Sequence, residues 1–189
     1  MKELLKLAVA LHGHLAPGLA LGIRMGTIGL KKLDTKKGSK KLIGISETGR
    51  CLGDGMQVST GCTLGHGSAM VKHYGKLALT LGRVDSMRGV RIALKNDAYK
   101  ISPVLKKWMM RGGKLSRDEE KELGGILLNL DEKHLDIKDV ELMLGQNFEN
   151  SPIVKCKKCE DLIPMALSVE KDGDIICEMC AGEGYYRAL

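Results

Sequence analysis

Aromatic side chains make up only 3% of this 189-residue chain. So few rings leave little to stack on the bases of a single-stranded nucleic acid, and the net charge of +7 is by itself a weak argument for such a partner. The densest positive run, Lys31, Lys32, Lys36, Lys37, Lys40 and Lys41 around Gly38-Ser39, reads as a solvated loop joining a helix to a strand. Long apolar runs are also missing, and nothing reaches the length needed to cross a bilayer. Charge returns at Lys6 too early for a secretory leader. These absences lead to the expectation of a cytoplasmic protein with no membrane partner. No period of 20 to 50 residues recurs and no low-complexity tract is present. The first 150 residues contain no CxxC pair, which removes the usual signature of thiol–disulfide exchange from that part of the chain.

What is present is cysteine in a pattern. Of six cysteines, four form Cys156-Lys157-Lys158-Cys159 and Cys177-Glu178-Met179-Cys180, two CxxC pairs separated by 17 residues. In a reducing compartment such spacing favours metal ligands or redox thiols over three disulfides. Zinc takes four soft ligands in a tetrahedron, and each CxxC turn aims two thiolates at one point. Between the pairs, Met165–Val169 and Asp174–Ile176 flank Lys171-Asp172-Gly173, a hairpin signal. Knuckle, hairpin and a second pair opening a short terminal helix together resemble a treble-clef or zinc-ribbon-type finger. A module of about 35 residues buries little core, so metal must supply most of its folding free energy. Four protein ligands leave no open coordination position, which makes the metal structural. The same four thiols could also hold an iron–sulfur cluster.

A second chemical concentration lies from Cys51 to Gly67, with two thiols, a carboxylate, an amide, an imidazole and five glycines. Its plain interpretation is a glycine-rich turn with two small buried thiols. Upstream, however, His12-Gly13-His14-Leu15-Ala16-Pro17-Gly18 interrupts two apolar helical patterns. Two such clusters in one small domain suggest one shared site.

Leu4, Leu5, Ala8, Val9 and Leu11 recur at helical spacing, so residues 2–11 are expected to be an amphipathic helix. Pro17 suits the first turn of a second helix through Leu19, Ile23, Ile28 and Leu30. The histidines then sit at a helix–helix junction. Residues 42–47 predict a buried strand, 51–58 a helix, and 76–81 with 90–95 a hairpin. Pro103 opens a helix ending at Gly112-Gly113, and Ser116-x-x-Glu119 has capping-box spacing before Leu123, Ile126, Leu127 and Leu130. A further helix is expected over 137–146, and Phe148–Pro152 reads as a linker. The expected domains are 1–150 and 151–189.

Together these residues resemble the E-subunit family of formylmethanofuran dehydrogenase. The resemblance runs through His12-Gly-His14-x-x-Pro17-Gly18, Cys51-x-x-Asp54-x-x-Gln57, Thr60-Gly61-Cys62-Thr63 and Tyr74-Gly75-Lys76. It implies an α+β core, a mixed β-sheet flanked by helices and distantly thioredoxin-like, plus a small C-terminal treble-clef zinc finger. It also implies a core pocket able to hold zinc, with His14 and Cys62 as first-choice ligands. His12, Cys51, Asp54, Gln57 and His66 would line that pocket, and Tyr74 or Lys76 would give a proton or an anion contact. Ala16 stands where the pattern usually has Cys, and His66 where Lys is common. The implied partners are molybdenum or tungsten dehydrogenase subunits and a second copy in a homodimer, within anaerobic, methanogenesis-related one-carbon or redox metabolism. The alternative from charge and finger is a basic zinc module that binds nucleic acid or another protein, with the strong salt dependence of phosphate contacts.

Overall fold

The computed structural model describes residues 2–144 and 150–186. The chain forms two compact units, Met1–Leu142 and Met143–Leu189, so the break falls a few residues before the expected boundary at 150.

The first unit contains five helices and five strands: α1 Lys2–His12, α2 Pro17–Lys32, β1 Leu42–Ser46, α3 Cys51–Thr60, β2 Ala69–Val71, β3 Ala78–Arg83, β4 Arg88–Leu94, α4 Pro103–Met109, α5 Arg117–Leu128 and β5 Leu135–Glu141. The strands make one sheet in the order β2-β1-β3-β4-β5. Only β1 and β2 run parallel; the other three pairings are antiparallel. The sheet is therefore mixed and helix-flanked, the α+β architecture expected. Alternation decides which side is buried. Leu81 lies opposite Gly44 and Val90, and Ile92 lies opposite Leu79 and Ile137. These positions share one face with Leu42 and Leu94, and Leu79, Leu81, Val90 and Ile92 are all 1% exposed or less.

That face is covered chiefly by α2, which is buried from Pro17 through Ile23. A helix apolar on nearly every side belongs in the middle of a fold, and α2 packs against α3, α5, β3 and β4. Its contact with α3 sets the geometry of everything functional in this unit. Gly18, Gly22 and Gly26 recur every four residues on α2 and meet Cys51, Gly55 and Ser59, which recur every four on α3. A Cβ on Gly22 would land on the Leu52 carbonyl oxygen, and one on Gly55 on the Leu19 carbonyl oxygen. The matching order along both helices means that they run parallel, backbone against backbone, with both N-termini at one end. α1 packs on α3, and Ala8, Ala16, Leu19 and Ile23 make a second small apolar cluster there.

Helix ends follow sequence chemistry closely. Ser102 Oγ accepts from the Leu105 N–H ahead of Pro103. Ser116 and Glu119 form the reciprocal capping box that opens α5. The helix expected over 137–146 is not formed: residues 135–141 are strand β5, paired in unbroken register from Leu94↔Leu135 to Arg88↔Glu141. The edge of β4 that faces away from β3 needs hydrogen-bond partners, and β5 supplies them. Leu135 and Ile137 alternate inward with Asp136 and Lys138, a period-two pattern that outweighs the apolar cluster of Val140, Leu142, Met143 and Leu144. Leu142 is buried over Gly82 and Gly89. Residues 145–146 of that expected helix lie outside the described residues, as do Phe148 and Glu149 of the expected linker.

The second unit consists of two hairpins, β6 Ile153–Lys155 with β7 Leu162–Pro164 and β8 Ser168–Lys171 with β9 Asp174–Cys177, followed by one helical turn over Met179–Glu183. Asp172 (φ 55°) and Gly173 (φ 82°) both take positive φ at the β8–β9 turn, as a two-residue hairpin with right-handed twist requires. The expected terminal helix is a single distorted turn, broken at Gly182 with φ 123°.

Candidate metal centre and core cleft

Cys156 and Cys159 sit on the turn between β6 and β7, Cys177 ends β9, and Cys180 lies in the helical turn after it. The fold brings all four expected ligands together, with their sulfur atoms within 4.8 Å of one another. Cys159 Sγ and Cys177 Sγ are 3.8 Å apart. A tetrahedron with zinc–sulfur bonds of about 2.3 Å has sulfur–sulfur edges of about 3.8 Å, so the donor set fits this ion in number, softness and size. Backbone N–H groups are aimed at sulfur: Cys177 N donates to Cys156 Sγ over 3.3 Å, and Cys180 N to Cys177 Sγ over 3.4 Å. Such donors favour the thiolate. Backbone N–H groups of Cys159 and Cys177 draw the Cys156 thiol down to about 6. Cys159 goes the other way. The Asp161 N–H lowers it, but the neighbouring Cys156 sulfur and burial together push it up to about 12. One thiolate makes the next harder to form, and a cation at the centre relieves that conflict. All six cysteines are free thiols. Among the described residues, this is the one group of three or more Cys, His, Asp or Glu side chains close enough to share an ion.

The other candidate residues gather where the N-termini of α2 and α3 converge. Gly13, at φ 93°, turns the chain sharply out of α1 and leaves His12 facing the first turn of α3. There His12 Nδ1 lies 2.7 Å from Asp54 Oδ2. The His14 ring sits 5.2 Å from that of His12, centroid to centroid. Cys51 opens α3 and is half-buried. Burial pushes its thiol up first, and the Asp54 carboxylate adds to this; a backbone N–H and Arg50 pull the other way. His12, Cys51, Asp54 and Gln57 line one cavity of about 420 Å³. His14, Ala16 and Cys51 line another of about 340 Å³, which shares Thr48, Arg50 and Cys51 with the first.

Four expected residues lie elsewhere. Cys62 is 2% exposed in the apolar core, beside Met56 and Gly44, and burial raises its thiol. It follows the C-terminal end of α3, whose ten residues separate it from the His14 end by about 15 Å of helix. The fold does not bring Cys62 and His14 together as a ligand pair. His66 is in an exposed turn, where its backbone N–H donates to Thr63 Oγ1 over 3.3 Å. Tyr74 is 63% exposed, with Lys76 Nζ 5.7 Å from its ring centroid. Lys76 borders a different groove, of about 560 Å³, with Arg91 and Asp136.

Sequence reasoning missed Thr48 and Arg50, which border both cavities, and His73, whose ring lies over Gly49. A Cβ on Gly49 would come 2.5 Å from His73 Cε1. The signal for the first two was their position at the strand end feeding Cys51. For His73 there was none, since it reaches the site through β2, a three-residue strand without a sequence signature.

Comparison with known proteins bears on the whole chain. The model of a family described as FmdE, molybdenum formylmethanofuran dehydrogenase operon, matches residues 11–143. A relative named as a probable S-adenosyl-L-methionine-binding protein, from Archaeoglobus fulgidus, is 32% identical over 203 aligned positions that cover 98% of this chain and 54% of the relative. The chain thus spans about half the length of the curated relative it matches. A crystal structure of an FmdE-like protein of tungsten formylmethanofuran dehydrogenase from Syntrophus aciditrophicus is similar at a TM-score of 0.75 and 25% identity, covering 98% of this chain and 94% of that one.

Proposed function

The chain belongs to the FmdE family, and on that premise we propose that it is a zinc protein acting as an accessory component of a formylmethanofuran dehydrogenase system. Its finger is held by a structural zinc on Cys156, Cys159, Cys177 and Cys180. The observation that carries the metal is the meeting of four sulfurs within 4.8 Å, with N–H donors aimed at two of them. The family's description supports the partner, since it ties these proteins to the molybdenum dehydrogenase operon. Zinc on four thiolates has no open position, so it organises the module and takes no part in chemistry.

The test has two arms. Protein purified without added metal is expected to carry one zinc per chain, lost when Cys156→Ser and Cys177→Ser are combined. Iron with acid-labile sulfide would replace zinc in this reading, and a metal-free chain would overturn it. The second arm mixes the chain with purified molybdenum or tungsten formylmethanofuran dehydrogenase lacking its own copy. Co-elution on size exclusion is expected, and separate elution at both low and moderate salt would remove the accessory role.

A further inference from the structure

We propose that the core cleft is an acyl-transfer site in which Cys51 is the nucleophile, His12 its general base and Asp54 the residue that positions His12, acting on small activated esters or thioesters. This activity is independent of the finger and of any dehydrogenase partner.

The His12–Asp54 contact sets the proton inventory. An ionised carboxylate can only accept, so the 2.7 Å contact places the imidazole proton on Nδ1 and leaves Nε2 with its lone pair. This is the orientation a base needs when a carboxylate holds its other nitrogen. The side chains are sheltered, His12 at 15% and Asp54 at 35% exposure. Cys51 and Asp54 are three residues apart on α3, hence neighbours on one face of the helix. His12 reaches that face through Asp54, and all three border the same cavity of about 420 Å³.

The thiol's surroundings explain why a base is required. Burial and the Asp54 carboxylate keep Cys51 protonated, with Glu120 acting in the same direction and Arg50 against it. A resting thiol of this kind becomes a nucleophile only when a neighbour takes its proton in the same step. Cys51 is also the first residue of α3, whose N-terminal N–H groups favour the negative charge that develops on an attacked carbonyl oxygen. Met56, Leu64 and Met70 give the cavity an apolar wall, while Arg50 and Gln57 supply its polar edge. An apolar acyl chain carrying a polar leaving group matches that division.

The step balances as follows. The Cys51 S–H proton passes to His12 Nε2 while sulfur bonds to the acyl carbon. The bond from that carbon to the leaving oxygen or sulfur breaks, and the leaving group departs with the proton from His12. Water, deprotonated by the same nitrogen, then cleaves the thioester to release the acid and restore the thiol.

The full-length chain, zinc-replete, is treated with p-nitrophenyl acetate, and modified peptides are mapped by mass spectrometry. A burst of one equivalent of nitrophenolate with acetyl on Cys51 is expected, absent in Cys51→Ala. In His12→Ala the acetylation rate should fall about a hundredfold and recover when imidazole is added, a rescue that a purely structural histidine would not permit. Asp54→Asn should slow the step and Asp54→Glu should restore part of it. Unchanged zinc content and far-UV circular dichroism establish that each variant is folded, and Asp54→Asn carries the test if His12→Ala is not. Acetyl confined to the finger cysteines would overturn the proposal. So would labelling of Cys51 at equal rates in wild type and His12→Ala, or a slowed His12→Ala that imidazole does not rescue.

Discussion

Glu47 is 6% exposed, and an ionised carboxylate so deep needs a full set of donors. Arg91 supplies them from β4 as a two-pronged pair, Nε to Oε1 at 2.5 Å and Nη2 to Oε2 at 2.9 Å. The Glu47 backbone is fixed too, donating to Ala78 O and accepting from Lys76 N, so the carboxylate has little freedom to find water. Arg91→Leu should therefore cost about 3 kcal/mol, the penalty of stranding a buried charge. Combining it with Glu47→Leu should recover most of that loss. Urea denaturation of the two variants checks this; equal destabilisation by both would show that apolar packing, and not the stranded charge, sets the cost. At the same scale, Ala16 has a packing reason for its identity: at 4% exposure it fills the small cluster of Ala8, Leu19 and Ile23, where a methyl is well accommodated. The cleft residues were readable because Cys51-x-x-Asp54-x-x-Gln57 repeats at nearly one helical turn and so marks one face. Cys62 was misleading for the converse reason. It lies close to Cys51 in sequence, but the intervening helix carries it to the opposite end of α3.

Among the elements, the contact of α2 with α3 has the least tolerance. Backbone faces backbone at Gly22 and Gly55, and a carbonyl cannot rotate away as a flexible side chain can. Gly22→Ala is expected to lower stability by about 2 kcal/mol through overpacking, although alanine normally improves a helix. Gly125→Ala on α5, where an added Cβ meets nothing within 4 Å, should be neutral or slightly stabilising. Thermal melts of the two variants make the comparison, and a stable Gly22→Ala would mean that the helices can separate without cost. Most elements were legible beforehand because each carries its own punctuation: Pro17 and Pro103 at first turns, the Ser116–Glu119 box, and the Asp172-Gly173 turn. β5 was not. Residues 140–144 are mostly apolar and suit a helix locally, and only the open edge of β4, far away in sequence, decides for a strand. Long-range pairing of this sort leaves no local trace.

At the scale of the molecule, the two units owe their stability to different sources. Met1–Leu142 contains a continuous core in which Leu21, Met25, Leu79, Leu81, Ile92, Leu123 and Leu127 are fully buried. Among the described residues of Met143–Leu189, Cys156 and Ile176 are the buried apolar side chains, while Leu162 is 72% and Tyr185 93% exposed. Two buried residues contribute only about 3 to 5 kcal/mol by transfer, far less than the entropy of ordering such a segment. Binding of a structural zinc releases about 10 kcal/mol or more, enough to close that gap. Removing the metal should therefore melt one unit and spare the other. With a strong zinc chelator present, hydrogen exchange is expected to lose protection throughout β6 to β9 while amides of α2, β3 and β4 keep theirs, and re-adding zinc should restore the pattern. Cys156→Ser should reproduce the chelated state without chelator. Retained protection in the finger after zinc removal would mean that the hairpins stand without their metal, and uniform loss across both units would mean that the core also depends on it.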